Sequence, residues 1–295
     1  MRSRSRNVLL TGASSGIGRA LALELAAGGN RLALVARRRE LLDDVASAIE
    51  ARGAPRPVVM PADLAVPGEA RRVAEAAVQA LGEVDVLINN AGGGAGGVTW
   101  RASDGPQARE SFEVNYWSPL ALISAVVPQM LERGSGTIVN VTSLAQVMTW
   151  PAMGPYTATK AALGLATETL RLELAGTGVH VVEVIPGPVD TAMQAESALL
   201  SGLAEALRTA PVGNPQQLAK MIATGIDRGT DRLVYPRRLA LAYRFPGVTR
   251  AVVARQARRF AHVLDDARVM RSGSRGDDAA QAARGEWAAR TGGVA

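Results

Sequence analysis

The chain has 295 residues, 47% of them hydrophobic and 20% charged, proportions that are ordinary for a folded protein with a large core. It has no cysteine, which excludes disulfides, thiolate metal sites and cysteine nucleophiles. Its two histidines, His180 and His262, are far apart and lack ligand spacing, so a catalytic zinc is not indicated and we expect no metal. The formal charge of +6 arises mainly in residues 228–275, where twelve arginines accompany three acids, so nucleic-acid binding by the remainder is not indicated.

Apolar runs alternate with segments of helical periodicity along the first 235 residues. The runs predict strands at 8–10, 31–36, 58–60, 84–88, 137–141, 180–185 and, more weakly, 232–235. The helical segments lie at 19–27, 39–52, 69–81, 108–131, 156–175 and 215–226. Because the runs are apolar on both faces, they are typical of strands covered by helices on each side. This pattern predicts an α/β fold with a doubly wound parallel sheet, whose ligand binds beyond the carboxyl ends of the strands.

A glycine-rich loop, Thr11-Gly12-Ala13-Ser14-Ser15-Gly16-Ile17-Gly18, follows the first predicted strand directly and leads into the first helix. Glycine permits positive φ and close approach, and the first N–H groups of a helix are unpaired, so this corner suits a pyrophosphate. The sterics of a strand-to-helix turn explain glycines equally well. The spacing also differs from the common G-x-G-x-x-G pattern.

Three arginines, Arg37, Arg38 and Arg39, follow the second strand, where an acid would bind the ribose of NAD. A guanidinium holds a 2′-phosphate by a charge-assisted bidentate contact, whereas a carboxylate repels it. We therefore expect NADP(H), with Arg37 on the phosphate and Arg38 beside it. The alternative is a solvated helix start, an interpretation that suits Arg39 and leaves Arg38 open.

Polar or glycine-containing motifs also follow later strands. Asp63-Leu64 follows the third strand, Asn89-Asn90-Ala91-Gly92 the fourth and Pro186-Gly187-Pro188-Val189-Asp190-Thr191 the sixth. Taken singly, Asp63 could be a helix cap and the proline-glycine segment an ordinary loop.

Tyr156 and Lys160 are four residues apart, which places them on one helix face. A neighbouring ammonium favours the phenolate, so we expect Lys160, helped by the positive nicotinamide in the oxidised complex, to lower the pKa of Tyr156 from its usual value near 10. Such a pair arises by chance on many helices. However, Ser143 ends the preceding strand thirteen residues earlier, and Asn115 lies in the helix between the fourth and fifth strands.

In this order the motifs resemble the short-chain dehydrogenase/reductase family over residues 7–235. The resemblance implies a Rossmann-like fold and an NADP(H)-dependent oxidoreductase that transfers hydride between nicotinamide and a carbonyl or secondary alcohol. It makes Tyr156 the general acid/base and Lys160 its activator, while Ser143 orients the substrate oxygen and Asn115 holds a relay water. The cofactor-binding residues that it implies are Gly12, Ser14, Ser15, Gly16, Ile17, Gly18, Arg37, Arg38, Asp63, Leu64, Asn90, Ala91, Gly92, Tyr156, Lys160, Val189 and Thr191.

Ser15 replaces the second basic residue of some NADP-dependent relatives, so selectivity for NADP is expected to be incomplete. The apolar residues nearest the predicted site favour an apolar substrate; they are Leu144, Val147, Met148, Trp150, Met153 and the segment 193–200. The resemblance also implies a homodimer or homotetramer, in which the small residues of 161–166 permit close helix approach.

Beyond residue 235 the family pattern stops, so we divide the chain into a domain at 1–235, a basic amphipathic helical extension at 236–271 and a disordered tail at 272–295. Between Arg250 and Leu264 the pattern places Val253, Phe260 and Leu264 on one stripe. This extension could contact anionic lipid, cover the substrate cleft, block an oligomer face or dock on its own domain.

Two other functions remain open: a catalytically inactive NADP-binding regulator and a peripheral membrane protein defined by its tail. The basic start, Met1 to Arg6, precedes an apolar run too short for a signal peptide, and no run approaches the roughly 18 apolar residues of a membrane span. The sequence therefore predicts a cytoplasmic protein.

Overall fold

The computed structural model describes residues 5–94, 96–191 and 212–258. In these residues seven strands form one sheet in the order β3-β2-β1-β4-β5-β6-β7, and every neighbouring pair is parallel. The predicted doubly wound α/β fold is thus confirmed. The strands are β1 (Asn7–Thr11), β2 (Arg31–Ala36), β3 (Val58–Pro61), β4 (Val86–Asn89), β5 (Gly136–Val141), β6 (Val179–Pro186) and β7 (Arg232–Tyr235).

Helices cover both faces of the sheet. Before β5 they are α1 (Gly16–Ala27), α2 (Arg39–Glu50), α3 (Glu69–Leu81), α4 (Thr99–Ala102), α5 (Pro106–Phe112), a π turn (Glu113–Trp117) and α6 (Ser118–Arg133). After β5 they are a 3₁₀ turn (Leu144–Val147), α7 (Gly154–Glu173), α8 (Pro215–Arg228), a 3₁₀ turn (Arg237–Leu239), α9 (Ala240–Arg244) and α10 (Pro246–Ala257).

The central strands are buried on both faces of the sheet. Successive side chains along each strand point to opposite faces, and both sets are apolar. Leu9, Leu87 and Ile138 pack on α3 and α6, while Leu10 and its neighbours pack on α1, α2 and α8. Strand order reverses between β1 and β4, and such a reversal opens a crevice beyond the carboxyl ends of the strands.

Two helical regions differ from the sequence prediction. The segment predicted as one helix over 108–131 is α5, a π turn and α6 in succession, since the turn at Glu113–Trp117 inserts an extra residue. In the extension a 3₁₀ turn and α9 precede α10, which begins at Pro246 and contains the buried Val253. Phe260, Leu264 and the predicted tail lie outside the described residues.

Within the described ranges, no helix combines the length and apolarity needed to cross a membrane. The same residues contain no group of three or more His, Cys, Asp or Glu side chains that could hold a metal ion.

Candidate active site

A cavity of about 1300 Å³ occupies the crevice at the carboxyl ends of the strands. It brings together all the site residues predicted from the sequence except Asn115. Its lining includes Gly12, Ser14, Ser15, Gly16, Ile17, Gly18, Arg37, Arg38, Asp63, Leu64, Asn90, Ala91, Gly92, Ser143, Tyr156, Lys160, Val189 and Thr191.

The glycine loop is shaped by close backbone contacts. Gly12 has a φ of +67°, and a Cβ there would lie 2.8 Å from Ala91 Cα. A Cβ on Gly18 would lie 2.0 Å from the carbonyl oxygen of Gly12, which is far inside van der Waals contact. These positions therefore require glycine for the close packing of β1, α1 and the segment after β4.

The N-terminus of α1 opens into the cavity. Ser15 is the N-cap residue, but its side chain makes no capping hydrogen bond, and Gly16, Ile17 and Gly18 line the cavity. The first N–H groups of a helix have no partner within the helix and carry partial positive charge. This corner therefore fits a pyrophosphate.

Asn90 joins the ends of β1 and β4. Its Nδ2 donates to the carbonyl oxygens of Thr11 at 3.0 Å and Gly12 at 3.2 Å. The backbone N–H groups of Asn90 and Ala91 both donate to Thr11 Oγ1 at 3.0 Å. The Asn90 side chain thus holds the loop, which leaves backbone atoms of this segment to face a ligand.

The end of the cavity beside β2 and β3 contains both carboxylates and arginines. Asp63 Oδ1 accepts a hydrogen bond of 3.0 Å from the backbone N–H of Ala65, so this carboxylate also closes a turn. The Arg37 side chain is 69% exposed, and its guanidinium lies 4.0 Å from Glu110 Oε1. Arg38 is the N-cap residue of α2. Glu110 lies far from Arg37 in sequence, so motif analysis gave no signal for this acid.

Tyr156 lies in the first turn of α7, and Ser143 follows β5 by two residues. Burial raises the pKa of Tyr156, and a hydrogen bond with Ser143 lowers it in part. The net direction is upward, and Lys160 is not among the causes. In the chain without its ligand, desolvation of the phenol has the larger effect, and the expected lowering by Lys160 together with the positive nicotinamide of the oxidised complex stays a prediction.

Lys160 is buried, and its Nζ donates to the carbonyl oxygen of Val141 at 3.1 Å. Burial lowers the pKa of Lys160 to about 8. A Cβ on Gly92 would lie 3.5 Å from this Nζ and 3.3 Å from Asn115 Oδ1. Glycine at position 92 therefore lets the chain pass close to both polar groups.

Asn115 lies fully buried in the π turn rather than on the cavity wall. Its Oδ1 accepts from the Gly93 N–H at 2.9 Å, and its Nδ2 donates to the Gly93 carbonyl at 2.8 Å and to Thr159 Oγ1 at 2.9 Å. The side chain thus ties the segment after β4 to α7. Its role in a water relay stays a prediction.

The end of the cavity beside the start of α7 is apolar. Of the residues predicted to lie near a substrate, Leu144, Met148, Trp150 and Met153 line it, Val147 does not, and the segment 193–200 lies outside the described residues. A second wall comes from the extension; the sequence left covering of the cleft as one of its four open roles but did not assign the residues of this wall. The helical spacing of four apolar residues is a signal that could have found it: Leu241, Phe245, Val248 and Val252.

Val253 of the extension packs on Trp150, with Met148 and Met153 beside them. The described part of the extension therefore covers the cleft and docks on its own domain, two of the four roles that the sequence left open.

The chain is similar to known oxidoreductases over most of its length. A sequence profile described as short chain dehydrogenase matches residues 6–199. The chain is 33% identical over 246 residues to 11-beta-hydroxysteroid dehydrogenase 1A of Arabidopsis thaliana, covering 80% of this chain and 70% of that relative.

Two of the solved structures that resemble this chain contain a nicotinamide cofactor. One is a short chain dehydrogenase/reductase from Burkholderia phymatum in complex with NAD, with a TM-score of 0.74 and 26% identity, covering 85% of this chain and 97% of that one. The other is a short-chain dehydrogenase from Sphingobium yanoikuyae in complex with NADPH, with a TM-score of 0.71 and 27% identity, covering 88% of this chain and 96% of that one. Both cofactors thus occur among proteins of similar structure.

Proposed function

Because the chain belongs to the short-chain dehydrogenase family, an oxidoreductase family that uses a nicotinamide cofactor, we propose that it is an NADP(H)-dependent enzyme that interconverts an apolar ketone and a secondary alcohol. The observation that carries this proposal is that Ser143, Tyr156 and the buried Lys160 line one cavity. The N-terminus of α1 opens into the same cavity.

In the proposed reaction each polar side chain has a separate task. The nicotinamide supplies the hydride that the carbonyl carbon receives in reduction, and takes it back in oxidation. Tyr156 donates its phenolic proton to the substrate oxygen, and Ser143 donates a hydrogen bond that stabilises charge developing there. Lys160 binds the nicotinamide ribose hydroxyls and provides positive charge that favours the phenolate when the alcohol is oxidised.

Arg37 supports the choice of NADP(H) over NAD(H). Its exposed guanidinium lines the adenosine end of the cavity and is free to move away from Glu110, since a contact of 4.0 Å between two exposed groups is weak. A 2′-phosphate would be a stronger partner than this carboxylate because it allows a bidentate contact.

The apolar end of the cavity supports a bulky apolar substrate. Met148, Trp150 and Met153 line one wall and the extension lines another, and methionine side chains adapt to irregular apolar shapes. The similarity to a hydroxysteroid dehydrogenase points to the same size class. We therefore propose polycyclic or long-chain ketones and alcohols as substrates.

A panel of aromatic, polycyclic and long-chain ketones, with quinones and 3-oxoacyl thioesters for comparison, tests the proposal. Oxidation of NADPH would be followed by absorbance, and each compound would be repeated with NADH. Turnover of the apolar ketones with NADPH is expected. Tight NADPH binding with no turnover of any carbonyl would favour the inactive regulator instead.

Exposed apolar residues on α7 support a homo-oligomer. Leu165 is 68% exposed and Leu172 is 79% exposed. We propose that these side chains are buried between copies of the chain, as the family resemblance implies. Light scattering after gel filtration should give a mass of two or four chains, and Leu172→Ser should lower it.

A second proposal concerns the surface of the extension. Leu241, Phe245, Val248 and Val252 line the cavity, yet each is more than half exposed. Residues 237–258 contain six arginines and no acid. Since exposed apolar side chains beside cationic ones bind anionic bilayers, we propose a cytoplasmic enzyme whose cleft rests on a membrane that dissolves its substrate.

Flotation with vesicles tests this second proposal. The full chain should float with vesicles that contain anionic lipid and stay behind with purely zwitterionic ones. The double variant Phe245→Ser/Val248→Ser should float several-fold less, whereas Leu172→Ser, on α7, should leave flotation unchanged. Equal flotation of the wild type and the double variant would contradict the proposal.

A further inference from the structure

Glu183 is a buried carboxylate that the proposed mechanism does not use. It lies in β6 with no exposed surface, among apolar residues of the strand. Its Oε1 accepts hydrogen bonds from Thr142 Oγ1 at 3.1 Å and Gln146 Nε2 at 3.0 Å. Its Oε2 accepts from Arg232 Nε at 2.9 Å. Burial of an unpaired carboxylate would destabilise the fold. These three hydrogen bonds therefore explain how a charged Glu183 side chain is accommodated in the core.

Two of these donors flank Ser143. Thr142 directly precedes it, and Gln146 follows it in the 3₁₀ turn. The turn is closed by a hydrogen bond of 3.1 Å from the Gln146 N–H to the Ser143 carbonyl oxygen. Thr142 is further fixed by its N–H, which donates to Val184 O at 2.8 Å. One carboxylate oxygen therefore holds both sides of the turn that presents Ser143 to Tyr156.

The same turn is braced against the helix that carries Tyr156. Gly164 lies one helical turn beyond Lys160 on α7, and it is buried. A Cβ at this position would lie 1.9 Å from Gln146 Oε1 and 3.5 Å from Glu183 Oε1. The Gln146 carboxamide therefore fits between the β6 carboxylate and the α7 backbone only because residue 164 is glycine. Gly164 is therefore needed for packing inside one chain.

We propose that Glu183 and Gln146 are positioning residues, which act together to hold the Ser143 hydroxyl at the distance from Tyr156 that the reaction needs. This inference rests on the proposed function. Glu183 sets the position of the turn through Thr142 and Gln146, and Gly164 fixes that position relative to α7. Neither positioning residue is assigned a contact with substrate or cofactor.

Gln146→Met tests the inference because it keeps the length of the side chain and removes the hydrogen bond to Glu183. We expect kcat to fall about tenfold while KM and the Kd of NADPH stay within about twofold. In a Ser143→Ala background the same substitution should have no further effect on kcat, since residues that act through one group are not additive. Gln129→Met, on α6, is the matched control and should leave kcat unchanged.

Ionisation of Tyr156 gives a second readout that does not need turnover. The difference between absorbance titrations of each protein and its Tyr156→Phe counterpart reports the pKa of this phenol. Since the hydrogen bond with Ser143 lowers that pKa, Gln146→Met should raise it, and Gly164→Ala, which displaces the Gln146 carboxamide, should do the same.

Two results would overturn the inference: an unchanged kcat and an unchanged Tyr156 pKa in Gln146→Met, or a loss of kcat by the same factor with and without Ser143. If no carbonyl is turned over by the wild type, the proposed function fails, and the titration alone then decides whether Gln146 positions Ser143.

Discussion

Lys160 Nζ donates a hydrogen bond of 3.1 Å to the carbonyl oxygen of Val141, the last residue of β5. The bond ties α7 to the end of β5, two residues before Ser143, so the ammonium is held near residues that we propose to be catalytic. The Lys160 side chain is buried, and this burial lowers its pKa to about 8 from an ordinary value of 10.5. Desolvation therefore opposes the charge that the proposed mechanism needs.

This cost should be visible in the pH dependence of stability. Between pH 8 and pH 10.5 the unfolded chain keeps the Lys160 proton that the folded chain has lost, so the free energy of unfolding should rise with pH across this window. The slope reaches at most about 1.4 kcal/mol per pH unit. Lys160→Met, which does not titrate, should lack this contribution in parallel denaturant titrations. Parallel pH profiles for the two proteins would show that Lys160 titrates normally in the fold.

Removal of the Tyr156 hydroxyl should abolish the reaction but leave the cofactor-binding site intact. Tyr156→Phe deletes only the hydroxyl that bonds to Ser143, and general acid/base groups contribute about 10²–10⁴-fold. We expect kcat with the best ketone to fall by that factor, while the Kd of NADPH changes less than about twofold. Tyr116→Phe is the control because Tyr116 does not line the cavity. Turnover in Tyr156→Phe at the wild-type rate would remove Tyr156 from the mechanism.

The state of the cofactor should set the ionisation of Tyr156. In the chain alone, burial raises the pKa of this phenol above its ordinary value of 10.0. Oxidised NADP carries a positive nicotinamide ring, which should stabilise the phenolate, whereas NADPH lacks this charge. Difference titrations against Tyr156→Phe should therefore give a lower pKa with NADP⁺ than with NADPH. The same pKa in both complexes would leave the phenol without the activation that alcohol oxidation requires.

The sequence predicted the sheet and the glycine loop after β1 because both depend on local patterns. Strands such as 31–36 are apolar on both faces, and Gly12 and Gly18 follow a strand end directly. The burial of single side chains and the pairing of residues far apart in sequence cannot be predicted from local patterns. Glu183 looks like an isolated polar residue in an apolar strand, and its partner Arg232 lies 49 residues away. For the same reason the sequence does not give the desolvation that raises the pKa of Tyr156 in the chain alone.

The contact between Arg37 and Glu110 offers a separate test of cofactor choice. Arg37→Ala should raise the Kd of NADPH about tenfold and leave that of NADH unchanged, because only NADPH carries the 2′-phosphate. Glu110→Gln should lower the Kd of NADPH slightly, since it removes a carboxylate 4.0 Å from the guanidinium and repulsion of the phosphate. Arg39→Ala is the matched control for loss of one charge. Equal losses in Arg37→Ala and Arg39→Ala, or equal wild-type affinities for the two cofactors, would contradict the assignment of Arg37.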